Sequence, residues 1–254
     1  MLTLVSLPIL TDNYIWLLHD GSSAIAVDPG EAEPLLHYLQ LHGLRLQAVL
    51  CTHHHYDHVD GIPALRHAQP DLTVYGPATP RFSTWVTHPV VEGSRLPLLG
   101  QTFQVLETPA HTLDHVVYYA APWLFAGDVL FACGCGRLFE GTPVQLQQSL
   151  QRLAALPAET LLCCTHEYTL SNQRFALAVE PESLALQQRH ARDAQRRAAG
   201  LSTLPSTLAE EGLTNPFLRC EQASVQRAVS QQAGAVLTDA LAVLAALRRW
   251  KDVF

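Results

Sequence analysis

Short apolar runs separated by turn residues dominate the first two thirds of the chain. Runs at 2–7, 14–19 and 23–28 are β-prone and predict three strands of an antiparallel meander. Further strands are predicted at 47–51, 72–75, 103–107, 116–120, 123–126 and 160–165, and helices at 31–42, 62–68 and 142–156. Several strand runs end close to His or Asp, at the position where α/β sheets usually carry their chemistry.

The pattern changes after residue 169, where helical periodicity replaces the short strand-like runs. Helices are predicted at 171–179, 182–199, 222–232 and 237–250. We therefore expect two domains, one of mixed α and β structure over 1–169 and a helical one over 170–254.

Composition and charge narrow the functional classes. The chain has 254 residues, of which 48% are hydrophobic, enough for a core without disulfide staples. Its net charge is -7 and its richest basic cluster, 189–197, is interrupted by Asp193, which argues against a nucleic-acid substrate. The 6 cysteines lack disulfide or zinc-ribbon spacing, and the N-terminus resembles neither a signal peptide nor a membrane span. We expect a cytoplasmic protein with free thiols.

A cluster of histidines follows the apolar run at 47–51. Side chains two apart on an extended segment point the same way, so His53 and His55 are predicted to share a metal ion while His54 turns away. Asp57 and His58 follow a turn and could face a second ion. Two alternatives exist for this stretch. A zinc-protease helix would pair His54 with His58 but needs Glu after the first histidine, and a solvated histidine-rich loop needs no ion.

Three later residues repeat this placement. His111, Asp128 and His166 each come shortly after a predicted strand. An isolated His or Asp is more often structural, but a repeated order of strand, polar loop and helix is what a site along one sheet edge requires. Asp28, in an Asp-Pro-Gly stretch, is predicted to form a turn rather than to bind an ion.

Five stretches carry a family resemblance: THHHYDH at 52–58, TPAHT at 108–112, GDVLF at 127–131, GCGRLFEGT at 134–142 and HEYT at 166–169. They resemble the metallo-β-lactamase superfamily and, within it, the glyoxalase II (hydroxyacylglutathione hydrolase) family. The resemblance implies an α+β fold, a four-layer αβ/βα metallo-β-lactamase sandwich with a C-terminal helical domain. It also implies a thioester hydrolase that cleaves S-D-lactoylglutathione, and other S-2-hydroxyacylglutathiones, in methylglyoxal detoxification.

The resemblance also implies a dinuclear metal site. The implied ligands are His53, His55 and His111 for a first divalent ion, Asp57, His58 and His166 for a second, and Asp128 as the bridge. Asp57 and Asp128 are the carboxylates implied in catalysis. Paired divalent ions lower the pKa of bound water and polarise a carbonyl. Zinc is the expected metal, although iron and manganese accept the same donors.

Four further residues resemble glutathione-binding positions. These are Arg137, Tyr168, Arg248 and Lys251. Without the resemblance, Arg248 and Lys251 would be interpreted as cations that favour the negative end of a helix dipole. With it, we expect a monomer that binds a small-molecule glutathione thioester and neither nucleic acid nor membrane.

The chain departs from the family pattern at four positions. Asp60 and Asp114 stand where relatives usually carry Gly, Val129 where they carry Thr, and Phe139 where some carry a substrate-binding Tyr. The two aspartates lie beside ligand loops and are expected to alter the hydrogen bonds around the ligands. Phe139 removes a hydroxyl contact to glutathione.

Three other functions share part of this pattern. A mononuclear iron persulfide dioxygenase would share His53, His55, His111 and Asp128, but the second ligand set and the basic C-terminus argue against it. A nucleic-acid-processing member would need a basic surface. A non-catalytic metal-binding scaffold would be expected to lose a ligand. Metal stoichiometry and a thioester assay separate these functions.

Overall fold

The structure is a computed structural model that describes residues 1–82 and 84–254. Contacts divide the chain into two compact units. The first comprises Met1–Thr108 and Asp114–Gly127, and the second comprises Pro109–Leu113 and Asp128–Phe254. The boundary between functional domains at 169 and 170 stays a prediction.

The first unit contains most of the strands. Its strands are β1 (Thr3–Ile9), β2 (Asn13–His19), β3 (Ser23–Val27), β4 (Arg45–Leu50), β5 (Thr73–Pro77), β6 (His88–Val90), β7 (Arg95–Leu98), β8 (Gln101–Glu107), β9 (Val116–Ala120) and β10 (Trp123–Gly127). Its helices are α1 (Glu33–His42), α2 (Tyr56–Val59) and α3 (Ile62–Ala68), with a 3-10 turn at Pro80–Phe82. Strands β1 to β3 pair antiparallel, as predicted, and β3 to β6 pair parallel. Strands β7 to β10 form an antiparallel meander.

Burial explains why these strands form where the sequence is continuously apolar. In β2 the side chains of both faces are buried, so the strand shows no polar alternation. Ile15, Leu17 and Val49 belong to one core with Leu35 of α1. Helix α1 ends at His42 and is capped by Gly43, which adopts the left-handed conformation with φ 63°. The loop that carries His53 and His55 follows β4, whose last three residues, 48 to 50, are buried and so fix the start of the loop.

The second unit is mainly helical. It contains α4 (Pro143–Ala154), α5 (Thr169–Val179), α6 (Leu184–Ala198), α7 (Leu208–Thr214), α8 (Ala223–Ala233) and α9 (Ala240–Asp252), the hairpin of β11 (Leu130–Phe131) and β12 (Gly134–Cys135), and the pair of β13 (Leu161–Cys164) and β14 (Ser206–Thr207). Thr142 caps α4 in a capping box with Gln145, and Pro143 is its first residue.

The predicted elements are confirmed with shifted ends, and the short ones were missed. Strands β6, β7, β11, β12 and β14 and helices α2 and α7 were not predicted, because elements this short give only a weak periodic signal. All 6 cysteines are free and buried, as predicted. Among the helices of residues 1–82 and 84–254, none has both the length and the apolar character to span a bilayer.

Candidate metal centre

The loop after β4 brings two histidine rings together. The Nε2 atom of His53 lies 3.0 Å from the Nδ1 atom of His55. Two ring nitrogens this close repel each other unless one donates a proton or both face a cation. The extended backbone at His55, with ψ 144°, is consistent with the period-two prediction for this segment. The pair has the geometry of two ligands directed at one ion.

Hydrogen bonds fix the tautomer of His53. The hydroxyl of Thr52 donates to a carboxylate oxygen of Asp28 at 2.7 Å and lies 3.1 Å from Nδ1 of His53. Because the hydroxyl has one proton, it must accept from Nδ1, which leaves Nε2 with a lone pair. The ring of His115 stacks on His53 at 5.1 Å and is itself held by Thr108 at 2.9 Å. Nε2 of His53 is thus the ring nitrogen that is left able to bind a metal ion.

Asp28 orients His58 in the same way. Its Oδ2 atom lies 2.9 Å from Nδ1 of His58, and an ionised carboxylate can only accept. The other ring nitrogen of His58 lies 3.5 Å from Oδ2 of Asp57, and that oxygen accepts a hydrogen bond from the side-chain amide of Asn13 at 2.9 Å. Asp28 therefore supports the ligand loop twice. Its backbone forms the predicted turn, with the amide of Gly30 bonded to its carbonyl, but its carboxylate role was missed.

The zinc-protease interpretation of this stretch is wrong. Helix α2 begins at Tyr56, so His54 lies outside it and cannot share a helix face with His58. His54 instead lies 2.9 Å from the carboxylate of Asp114 and 3.0 Å from a guanidinium nitrogen of Arg81. The departure from the family pattern at position 114 thus supplies a partner for the histidine between His53 and His55.

In the second unit, one carboxylate lies beside two imidazoles. Oδ2 of Asp128 is 3.5 Å from Nε2 of His111 and 3.3 Å from Nε2 of His166. His111 donates from Nδ1 to the backbone carbonyl of Arg137 at 2.8 Å, since a carbonyl can only accept, and its Nε2 keeps a lone pair. Asp128 therefore has the placement expected of a shared ligand.

Candidate metal ligands occur in both units among the described residues. The first unit holds His53, His55, Asp57 and His58, and the second holds His111, Asp128 and His166. These are the residues that the sequence suggests for a first and a second ion. Imidazoles with a fixed outer nitrogen, together with carboxylates, form a donor set that suits a divalent transition metal.

Two of the predicted glutathione-binding residues are exposed. The guanidinium of Arg137 lies 5.5 Å above the ring of Phe139, and its Nε atom is 3.8 Å from Asp252. Tyr168 stacks flat on the ring of His166, with centroids 4.6 Å apart, while 37% of its surface stays exposed. Both side chains are accessible to a ligand.

The two cations of helix α9 differ sharply. Arg248 is buried and donates to the carbonyl of Cys135 at 2.9 Å and to Asp252 at 3.2 Å. Lys251 lies 5.2 Å from the ring of Phe175, and within residues 1–82 and 84–254 its ammonium has neither a hydrogen bond nor an ion pair. Burial and the positive charge of Arg248 lower the pKa of Lys251. Lys251 is therefore the cation better placed to bind an added carboxylate.

Comparison with known proteins places the chain in a family. Residues 10–166 match the Metallo-beta-lactamase superfamily profile, and residues 167–254 match the profile described as Hydroxyacylglutathione hydrolase C-terminus. The chain is 50% identical over 257 residues to the hydroxyacylglutathione hydrolase of Photobacterium profundum, covering 100% of both chains. It is 50% identical over 253 residues to that of Xanthomonas axonopodis pv. citri, covering 99% of this chain and 98% of the other.

A solved structure extends the comparison. The protein TTHA1623, crystallised in a di-iron-bound form, is 30% identical, with a TM-score of 0.62 over 85% of this chain and 100% of its own. The matched profiles together span almost the whole sequence, and the full-length relatives share half of its positions. The chain therefore has the metallo-β-lactamase fold and belongs to the hydroxyacylglutathione hydrolase family.

Proposed function

We propose that this protein hydrolyses the thioester bond of S-D-lactoylglutathione and of other S-2-hydroxyacylglutathiones, releasing a 2-hydroxy acid and glutathione. The observation that carries the proposal is the set of metal-binding atoms. In His53, His58 and His111 a hydrogen bond holds Nδ1, which leaves Nε2 with a lone pair for a metal ion. The 50% identity to hydroxyacylglutathione hydrolases supports the substrate class.

The proposed metal site uses seven side chains. A first divalent ion would be held by His53, His55 and His111 and a second by Asp57, His58 and His166, with Asp128 available to both. Such a pair supplies Lewis acidity and lowers the pKa of water towards neutrality. The di-iron form of TTHA1623 supports two ions, and availability decides between zinc, iron and manganese, with zinc as our proposal.

The chain's own residues would organise this reaction before substrate arrives. Asp28 holds His58 directly and His53 through Thr52, and the amide of Asn13 holds Asp57. Metal ligands that are fixed in this way need little reorganisation during the reaction. Such preorganisation is the main source of electrostatic catalysis. A thiolate leaves with less protonation than an amine does, so the reaction needs no separate acid such as a triad histidine.

Specificity is proposed to reside in the glutathione portion of the substrate. Arg137, Tyr168 and Lys251 offer accessible cationic and aromatic groups, whereas Arg248 is occupied by Cys135 and would position α9. Contacts made equally in the ground and transition states change KM rather than kcat. The acyl group itself requires no shaped pocket, which fits a range of 2-hydroxyacyl thioesters.

A paired-substrate assay tests the proposal. Loss of thioester absorbance is followed with S-D-lactoylglutathione and with the same lactoyl group on a small thiol. We expect rapid hydrolysis of the first and far slower hydrolysis of the second, with negligible oxygen uptake from glutathione persulfide. Equal rates on both thioesters, or rapid oxygen consumption, would assign the chain to another branch of the superfamily.

A further inference from the structure

A short hairpin in the second unit connects the candidate metal ligands of that unit. Strands β11 and β12 lie between Asp128 and Arg137 in the sequence. At the base of the hairpin the amide of Gly136 donates to the carbonyl of Val129 at 3.2 Å. A Cβ atom on Gly136 would lie 2.0 Å from the carbonyl oxygen of Asp128, so the two ends of the segment are in close contact. Just beyond, the carbonyl of Arg137 orients His111.

The third ligand of this unit also contacts the hairpin. The ring of Phe131, at the end of β11, meets the ring of His166 nearly edge-on, with centroids 5.9 Å apart and an interplanar angle of 77°. Phe131 meets Tyr168 in the same manner at 5.3 Å. The position of the hairpin therefore affects Asp128, His111 and His166 together.

Side chains from the later helices hold the tip of the hairpin. Cys133 has φ 55°, in the left-handed region that side-chain-bearing residues rarely adopt, and its amide donates to the carboxylate of Glu211 at 2.7 Å. The amide group of Asn215 donates to the carbonyls of Phe131 at 3.1 Å and Gly134 at 3.0 Å. Both of these side chains are fully buried.

A third side chain completes this contact. Asn172 of α5 donates to the carbonyl of Ala132 at 3.1 Å. The fit is tight, because a Cβ atom on Gly134 would lie 2.5 Å from the Asn172 side chain. Asn172, Glu211 and Asn215, which we call the hairpin clamp, thus bind backbone groups of four successive residues, 131 to 134.

The clamp is itself anchored by a buried ionic network. Arg189 of α6 binds the carboxylate of Glu211 at 2.7 Å and the hydroxyl of Thr214 at 2.6 Å, and the hydroxyl of Ser206 donates to Glu211 at 2.6 Å. A buried carboxylate is tolerated when its oxygens are satisfied in this way, and a satisfied network admits one arrangement. Glu211 is thus held fixed on both sides.

We infer that Asn172, Glu211 and Asn215 are positioning residues for the metal ligands, acting through the hairpin. Within the described residues, their side chains bond to the hairpin backbone and to one another rather than to the ligand atoms or the predicted substrate-binding side chains; the backbone amide of Asn172 donates to the carbonyl of Tyr168 at 2.9 Å, a bond that a side-chain substitution leaves in place. They fix the backbone that carries Asp128, the carbonyl that orients His111, and the ring that packs on His166. The C-terminal helices would then maintain metal affinity as well as bind substrate. This inference rests on the proposed metal site.

Metal release from the folded protein tests the clamp without substrate. Zinc-loaded wild type, Asn172→Ala and Glu211→Gln are mixed with a chelating dye at a temperature where circular dichroism shows each to be folded. Because changes around a ligand weaken metal binding about ten- to a hundredfold, we expect release to accelerate by about tenfold or more. In the reloaded enzymes kcat should fall while KM for the thioester stays within about twofold, since no binding contact is lost.

Glu180→Gln is the matched control. Glu180 is also a buried carboxylate of the second unit, bonded to Arg219 at 2.9 and 3.0 Å and to Ser224 at 2.6 Å. Within residues 1–82 and 84–254 its carboxylate has no hydrogen bond or ion pair to the hairpin, so its loss should lower stability and leave metal release unchanged. Release that is unaltered in Asn172→Ala and Glu211→Gln, or accelerated equally in the control, would overturn the inference.

The experiment still tests the inference if a variant does not fold or if the proposed substrate is wrong. If Glu211→Gln does not fold, Asn172→Ala decides the question, because it keeps the Arg189–Glu211 pair and deletes one hydrogen bond to the hairpin. A wild type that retains its ions but hydrolyses no glutathione thioester would refute the proposed substrate. The comparison of metal release would still support or overturn the clamp.

Discussion

The candidate ligands of the two units are supported in opposite ways. In the first unit four of them lie within six consecutive residues, 53–58, and one carboxylate, Asp28, orients two of their rings. In the second unit His111, Asp128 and His166 come from separate segments, and the support that we infer for them is a hairpin held by side chains of α5, of α7 and of the residue after α7. Local support is visible in a sequence motif, whereas dispersed support depends on the packed helices.

The largest effect is expected at Asp128, the carboxylate that is proposed to bind both ions. Asp128→Asn removes a charge next to His111 and His166 and weakens the binding of both proposed ions. We expect turnover to fall by more than the hundredfold or so that a change around a ligand causes. Elemental analysis of the purified variant measures the loss of metal directly. An inactive variant with its full metal content would show that Asp128 acts in the reaction step and not in metal binding.

Asp28→Asn tests the local support of the first unit. In the native protein the hydroxyl of Thr52 and the Nδ1–H of His58 both donate to Asp28. The NH2 group of the asparagine would also be a donor, so it would face one of them without an acceptor between them. We expect metal affinity to fall about ten- to a hundredfold and the free energy of unfolding to fall by about 1–3 kcal/mol. Metal titration and urea unfolding measure the two effects. Unchanged metal affinity would contradict the orienting role.

The two cations of α9 sharpen the comparison within one helix. Arg248→Ala deletes buried hydrogen bonds to Cys135 and Asp252, so we expect the free energy of unfolding to fall by about 2 kcal/mol. Lys251→Met removes a desolvated charge and should raise KM about tenfold without loss of stability. Thermal unfolding and steady-state kinetics on both variants check this. Identical behaviour of the two would contradict the separate roles.

The smallest expected effect is a pH dependence that comes from Lys251. Its pKa in the folded protein is lowered from 10.5, by burial first and by neighbouring cations second. Between that lowered pKa and 10.5, Lys251 is therefore protonated more in the unfolded chain than in the folded protein. Stability contributed at this residue therefore rises with pH across that window. Substrate affinity should fall as pH rises, because Lys251 loses the positive charge that binds the substrate, and KM should therefore rise. Lys251→Arg should flatten the KM profile, and an unchanged profile would place the glutathione carboxylate elsewhere.

The sequence suggests the candidate ligands but not the groups that hold them. His53 and His55 follow a short buried run, so the period of two is enough to bring their rings together. Asp28 occurs in Asp-Pro-Gly, where its turn chemistry concealed its second role as an acceptor. These inferences required only neighbours along the chain.

Glu211 and Arg248 show why the rest could not be predicted. Glu211 belongs to a seven-residue helix with two adjacent glutamates, a pattern that resembles a solvated surface, yet it is fully buried. Arg248 looks like a helix-end charge until the carbonyl of Cys135 is seen beside it. In both cases the partner lies far away in the sequence, and the partner decides the role.

The central claim is a dinuclear site assembled from these ligands, and metal content measured together with turnover tests it most directly. Protein is purified, its metals are quantified, and the ions are removed stepwise by a chelator while hydrolysis of S-D-lactoylglutathione is followed. We predict close to two ions per chain in the active protein and loss of turnover when the first ion is removed. Full activity with a single tightly held ion would contradict the account.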